Sequence, residues 1–401
     1  DSQTRAIGTP DEGKTSWAEG DELLLEIDNT SYGRHNATFT YNGKSWELTS
    51  GELVYLEGDP AYISHVYYAP NYKWSNTSLM LKKGKVAGTD EYIEGTAQIT
   101  PNGQAITVNF SGATRNYSRL RIATMPNKPI TVTINKYTPA GSSNMKWDQN
   151  YALTSDEKGN AYLYGTFENN SEVTVKYREA ALTTYTFSQA TESAKSYALD
   201  ATVISANSAE EIKSAIEQKV ADGKTTIRLN LAPNAGTNEF MAIREAIKGA
   251  APNDLGTIEL TIIGVETIPE EAFYKMLQLK SVRMSDVKEI KKYAFKECQY
   301  LTVVEAPSLN KLYSGAFKKC DQLSKLTFGP INYADARNWP IFEYITPNID
   351  LILSDYQKEM IETDSYLYTA NNDRDYAGSD EHNSKKFLGY EFKSITCRYP
   401  V

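Results

Sequence analysis

The side chains that most often carry chemistry are few in this chain of 401 residues, and they lie far apart. There are 3 histidines, His35, His65 and His382, and none stands in the HExxH spacing that would place two ligands on one helix face. There are three cysteines, Cys298, Cys320 and Cys397; Cys298 and Cys320 have no histidine near them in sequence and sit at a core register, so neither reads as a nucleophile. No GxSxG elbow, Walker loop or GxGxxG turn occurs. Asp373, Asp375, Asp380 and Glu381, with Gly378 among them, offer the oxygens a calcium loop uses, but not in the EF-hand spacing, and the group reads as a solvated loop. A glycosidase-type carboxylate pair cannot be picked from 51 acidic residues by spacing, because such pairs form in space. These residues imply a non-catalytic chain with no cofactor and no metal.

Composition narrows the partners. Acidic residues exceed basic ones, 51 against 42, for a net charge of −9. No basic stretch is dense enough to grip a phosphate backbone, which argues against nucleic acid. Tyrosine is abundant, at 28 residues, and suits β-structure and amphipathic surfaces. No apolar run reaches the ~18 residues a membrane-spanning helix needs.

The elements that must position any functional side chain are clearest in residues 268–329. Phe273, Phe295 and Phe317 recur every 22 residues, each preceded by alanine. Leu279, Leu301 and Leu323 hold the same spacing, as do Val282, Val304 and Leu326. Leu260, Ile262, Val265 and Ile268 form a weaker earlier copy. A fixed period of roughly 20–30 residues marks a leucine-rich array whose coils bury their apolar faces only by stacking. Met276, Cys298 and Cys320 share one register position. Buried thiols filling the coil are expected there, with a disulfide between adjacent coils as the alternative. The signature AFxxCxxLxxV, spread over 259–329, resembles the BspA-type leucine-rich repeat. That resemblance implies a bacterial surface protein, often one involved in attachment.

Residues flanking the inward positions of each repeat strand should point outward. These are Arg228 and Asn230, Glu259 and Thr261, Ser281 and Arg283, Val303 and Glu305, and Lys325 and Thr327. The set mixes both charge signs and lacks aromatics, which suits a protein partner or a plain solvated face better than a stacked sugar.

Upstream, residues 208–250 switch to helical period. Ser208 with Glu211 forms a capping box, and Ile212, Ala215, Ile216 and Val220 share one face. A second helix over 238–249 aligns Phe240, Ile243 and Ile247. This run is expected to enlarge the first coil and cap the array. The repeat fades after Phe328, with closing strands expected at 349–353 and 387–397.

Residues 17–199 read as short strands. Leu23, Leu25 and Ile27 alternate, and Asn42-Gly43 between Phe39 and Trp46 is a hairpin signal. Four motifs follow in order: Trp17-x-x-Gly20-Asp21, ITVNF at 106–110, YSRLRI at 117–122 and GNAYLY at 159–164. Together they resemble the two-domain fimbrillins of anaerobic Gram-negative bacteria. The resemblance implies two transthyretin-like sandwiches in a surface lipoprotein or pilus subunit.

The expected architecture is multidomain: two all-β transthyretin-like sandwiches followed by an α/β leucine-rich-repeat solenoid. The expected divisions are 1–112, with a polar tail at 1–15, then 113–203, then 204–401. The expected function is a cell-surface adhesion or pilus-associated protein at the outer membrane. It faces outward and binds a protein or glycoprotein on a host or bacterial surface. A carbohydrate- or glycoprotein-capture module using the tyrosines of 1–200 is the alternative. Membrane attachment is expected only through an N-terminal lipid anchor. Arg5 before Ala6 offers a trypsin-like cut, but the residues ahead of it read as a polar tail, and a monomer is expected.

Overall fold

In the computed structural model the 22-residue period becomes two parallel strand ladders. Residues 2–3, 16–29, 33–52, 62–102, 105–178, 180–206, 208–335, 340–345, 348–354, 386–388 and 390–398 are described. His382, the acidic group at 373–381, the loop at 371–383 and Arg5 lie outside them. The chain divides into two units, Asp1–Ala201 and Thr202–Val401.

In the second unit the main sheet runs in the order Ile204–Ser205, Thr226–Asn230, Ile258–Ile263, Leu279–Met284, Val303–Ala306, Lys325–Phe328, Asp350–Ser354, Ser394–Arg398. All of its pairings are parallel. A second parallel ladder joins Thr267–Ile268, Glu289–Ile290, Lys311–Tyr313 and Tyr333–Asp335. Residues equivalent in the period are neighbours in space: Leu260, Val282, Val304, Leu326 and Leu351 stand in one column. The phenylalanines stack, with centroids 5.1 Å apart for Phe273–Phe295 and 5.4 Å for Phe295–Phe317, the latter pair only 8° from parallel.

The repeat does not end where its sequence signature fades. Ile341 accepts the Phe317 amide, and Phe342 stacks on Phe317 at 5.7 Å. This coil takes 25 residues rather than 22, as Leu326 pairing with Leu351 shows, so a fixed-period alignment loses it. The expected closing strands are present as Asp350–Ser354 and Ser394–Arg398.

Two helices precede the coils, α1 (Ala209–Ala221) and α2 (Thr237–Ala250). Ser208 caps α1, its hydroxyl accepting from the Glu211 amide at 3.2 Å. Ile212 and Ile216 of α1 and Phe240, Ile243 and Ile247 of α2 join the same apolar core as the coils. Phe240 meets Phe273 edge-on at 5.6 Å and closes the start of the aromatic column.

The sheets of the first unit are antiparallel except where Ser118–Ala123 and Ser196–Asp200 pair in parallel. Its six-stranded sheet runs Trp46–Gly51, Gly33–Tyr41, Glu22–Asn29, Tyr62–Tyr68, Ile93–Asn102, Ala105–Thr114. The Asn42-Gly43 turn joins its first two strands, with Gly43 at φ +90°. Strict alternation fails along Glu22–Asn29. Leu23, Leu25 and Ile27 pack in one cluster, but Leu24 is equally buried on the other face against Ala69 and Tyr72. The hairpin of Tyr72–Ser75 and Ser78–Leu81 contributes Trp74 and Leu79 to that second face.

Residues 117–200 form a four-stranded sheet and four strands of a five-stranded one, whose fifth, Ser2–Gln3, pairs with Ser196–Tyr197, so those two residues of the expected polar tail are a strand. Rings from the two meet: Tyr137 on Tyr151 at 5.9 Å, and Phe167 on Phe187 at 4.9 Å. A buried ion pair ties the start of this region to the residues before the six-stranded sheet's last strands. Arg115 donates from Nε to Glu91 at 3.0 Å, and the Tyr117 hydroxyl donates to the same carboxylate at 2.5 Å. Burial, and then the Glu91 charge, push the Tyr117 phenol well above its ordinary range.

Candidate partner-binding face

The ten outward residues expected from the repeat fall into rows on the main parallel sheet. One row runs Glu259, Ser281, Val303, Lys325. The next runs Arg228, Thr261, Arg283, Glu305, Thr327. Asn230 stands in a third position, opposite Ile263. Parallel pairing in register produces this, since each strand repeats the pleat of its neighbour ~4.8 Å away.

Exposure divides the face. Arg228, Thr261 and Ser281 are buried, at 7%, 4% and 7%, so a plain solvated face does not describe its early strands. From Arg283 onward the rows open to solvent: Arg283, Val303, Glu305 and Thr327 are half-buried and Lys325 is exposed. Arg283 and Glu305 pair across adjacent strands at 2.9 Å. Glu259 takes the Lys280 ammonium at 2.8 Å. Exposed pairs of this kind add only ~0.2–1 kcal/mol each and leave the face chemically adaptable.

The structure lengthens the rows beyond the sequence reading. Lys325 is followed by Asp350 and Ser394, and Thr327 by Ile352 and Thr396. Ser394 donates to Asp350 at 2.6 Å and Lys393 adds an ion pair at 3.0 Å, which together hold the Asp350 carboxyl below its ordinary range. The alternation in 350–354 and 394–398 was the available signal, but only the tertiary pairing places these residues beside Lys325 and Thr327. The repeat reading also passed over the tyrosines and lysines that follow each Phe, among them Tyr274, Lys296 and Lys319, which the coils bring to one edge.

The reactive side chains stay apart. His35 sits 3.5 Å from Glu52, and His65 4.0 Å from Glu94, on different strands. Cys298 and Cys320 are free and buried. Each thiol donates to a carbonyl one coil back, Cys298 to Phe273 at 2.9 Å and Cys320 to Phe295 at 3.0 Å. Burial pushes the Cys298 thiol up to about 12, and Cys320 well above its usual value. Among the described residues no group of His, Cys, Asp and Glu is arranged to hold a metal ion. No described helix is long and apolar enough to cross a membrane.

Of the tyrosines expected to form a capture surface in 1–200, some are core, whereas Tyr41, Tyr67, Tyr92, Tyr162 and Tyr197 are half-buried and Tyr185 is exposed. Tyr68, Tyr72, Tyr117, Tyr137, Tyr151, Tyr164 and Tyr177 are each at most 8% exposed.

Residues 255–363 match the family described as BspA type Leucine rich repeat region, in 6 copies. The match extends past Phe328, as the ladder does. It does not reach the first unit, where the fimbrillin resemblance rests on sequence motifs alone. No curated protein and no solved structure matches the chain.

Proposed function

We propose that this chain is a non-catalytic, surface-exposed adhesion or pilus-associated protein whose second unit binds a protein or glycoprotein partner. The observation that carries the reading is the in-register parallel ladder within a BspA-type repeat region, whose rows present polar residues of both signs to solvent. Repeats of this type commonly serve as protein-interaction modules at surfaces. Repetition makes a broad, rigid face at little ordering cost, which favours recognition of an extended partner. In this reading the coils form a solenoid. The sheets of the first unit are transthyretin-like sandwiches that present it at the outer membrane, and the isolated protein is a monomer.

The open part of the ladder tests the proposal. Beads carrying the full chain should adhere to cells or to immobilised surface glycoproteins. The double substitution Glu305→Arg/Lys325→Glu, which reverses charge on one half-buried and one exposed side chain, should abolish adhesion while costing only the ~0.2–1 kcal/mol of the Arg283–Glu305 pair. Undiminished adhesion by a folded double variant would exclude this face.

The capture reading keeps one supporting feature. Tyr92, Glu94, Asn116, Ser142 and Ser143 line a cleft of about 260 Å³ in the first unit, polar and aromatic as a sugar site requires. Oligosaccharide binding lost on Glu94→Ala and untouched by the ladder variant would favour it.

A further inference from the structure

Beside the sheet face, the turn after each phenylalanine builds a strip of a different chemistry. Phe273, Phe295, Phe317 and Phe342 are followed by Tyr274-Lys275, Lys296-Glu297, Lys318-Lys319 and Glu343-Tyr344. The second residue of every pair holds a left-handed backbone, φ 56°, 62°, 57° and 59°. Each of the first three is fixed by its amide donating one coil on: Lys275 to Lys296, Glu297 to Lys318 and Lys319 to Glu343, at 2.8–3.0 Å. Non-glycine residues adopt this conformation at a cost, and four in succession orient a row of side chains outward.

The row is basic and aromatic. The Lys296 ammonium lies 5.0 Å from the Tyr274 ring centre and 4.9 Å from that of Tyr293, and Lys292 covers Tyr293 at 4.8 Å. Gly315 is required here, because a Cβ would stand 2.4 Å from the Tyr293 ring. Helix α2 extends the strip: Arg244 donates to the Glu271 carbonyl at 2.8 Å and Lys248 to that of Tyr274 at 3.4 Å. Lys248 titrates below its ordinary range, first through burial and then through crowding by Arg244 and Lys275. At the far end Tyr344 is 68% exposed, with the Lys318 ammonium 5.2 Å from its ring centre. Carboxylates interrupt the strip: Glu297 at 3.5 Å from Lys275, Glu343 at 2.6 Å from Lys318, and the exposed Glu270 and Glu271 one coil before Lys292 and Tyr293. The local excess of cations runs against a chain of net charge −9.

We propose that this lysine–tyrosine strip binds an extended anionic polysaccharide, its ammonium groups meeting sulfate or carboxylate substituents and its tyrosines lying against sugar rings. Charge complementarity selects a polyanion, and a cation beside an aromatic face strengthens contact with a ligand carrying both an acid and an apolar ring face. The interleaved carboxylates decide among polyanions. A nucleic acid, with one charge per ~1.7 Å of duplex, would be repelled at Glu297 and Glu343. A polysaccharide of lower charge density can meet them with hydroxyl donors. The inference stands apart from the adhesion proposal, since it uses a different edge of the coils.

The full chain is titrated with a fluorescent heparin-type oligosaccharide at about 150 mM salt. Binding is expected that weakens steeply with salt. Lys292→Gln/Lys319→Gln should weaken it about tenfold, and Tyr344→Ala about threefold, in line with the loss of one or two charge or ring contacts. Lys73→Gln/Lys83→Gln, in the first unit, should leave it unchanged. Melting curves on each variant establish folding, and Lys319→Arg, which keeps the charge, should retain binding. No saturable binding would overturn the proposal. So would equal loss from the first-unit variant, binding of uncharged dextran with the same affinity, or poly-glutamate or single-stranded DNA binding as tightly with the same variant sensitivity.

Discussion

At the scale of single residues, the coil positions are ruled by packing. Phe295 is fully buried between Phe273 and Phe317, and its neighbours cannot close the gap left by truncation because their own spacing is set by the ladders. Phe295→Ala should therefore cost about 3–5 kcal/mol, read from denaturant unfolding of the second unit. The thiols give a second expectation. Only Cys397, which is partly exposed, should react with a thiol reagent at about pH 8, and Cys298 and Cys320 should react only on unfolding. Their raised values also set a pH dependence. The unfolded thiol releases its proton near 8.5, whereas Cys298 in the folded coil holds its own to about 12. The stabilising contribution is thus complete below about pH 8.5 and is lost as pH rises towards the folded value.

At the scale of elements, a buried ion pair and an exposed one should behave differently. Arg115 and Glu91 are 6% and 4% exposed, and Glu91 also accepts from Tyr117. Glu91→Gln leaves a guanidinium uncompensated out of water and should destabilise the first unit by about 3–5 kcal/mol in urea unfolding. Arg283→Ala removes an exposed partner of Glu305 on the ladder and should cost less than about 1 kcal/mol, so any loss of adhesion it causes reports on binding rather than folding. A smaller change than expected in Glu91→Gln would mean that water reaches Arg115. Glycine at 88 serves the same region. Its φ of +84° and the Tyr137 hydroxyl 2.6 Å from where a Cβ would stand exclude any larger residue there without displacement.

At the scale of the whole molecule, the division at Ala201 and Thr202 separates two sets of hydrophobic clusters. A fragment beginning at Thr202 retains α1, α2 and the full aromatic column, so it should fold alone with a cooperative transition in calorimetry. Non-cooperative melting of that fragment would show that the coils depend on the preceding sheets. The lysine–tyrosine strip and the ladder both lie within it, so each binding test can then be repeated without the first unit.

What the sequence determined by itself is what repeats locally. Residues 22 apart were recognisable as neighbours because stacking coils forces each to present the same side chain to the same depth, and Phe273, Phe295 and Phe317 stack as that requires. The helical period of 209–221 and the cap at Ser208 were legible for the same reason, since their causes lie within a few residues. Tertiary structure alone decided the rest. The 25-residue coil ending at Phe342 was invisible because ladder pairing tolerates a longer excursion between strands, whereas a fixed-period alignment does not. Leu24 is buried because a hairpin some fifty residues later in the chain covers its face. The outward pleat of Arg228, Thr261 and Ser281 was legible, but their burial was not. Alternation tells which side of a sheet a residue takes, and only the packing of distant chain tells whether that side meets water.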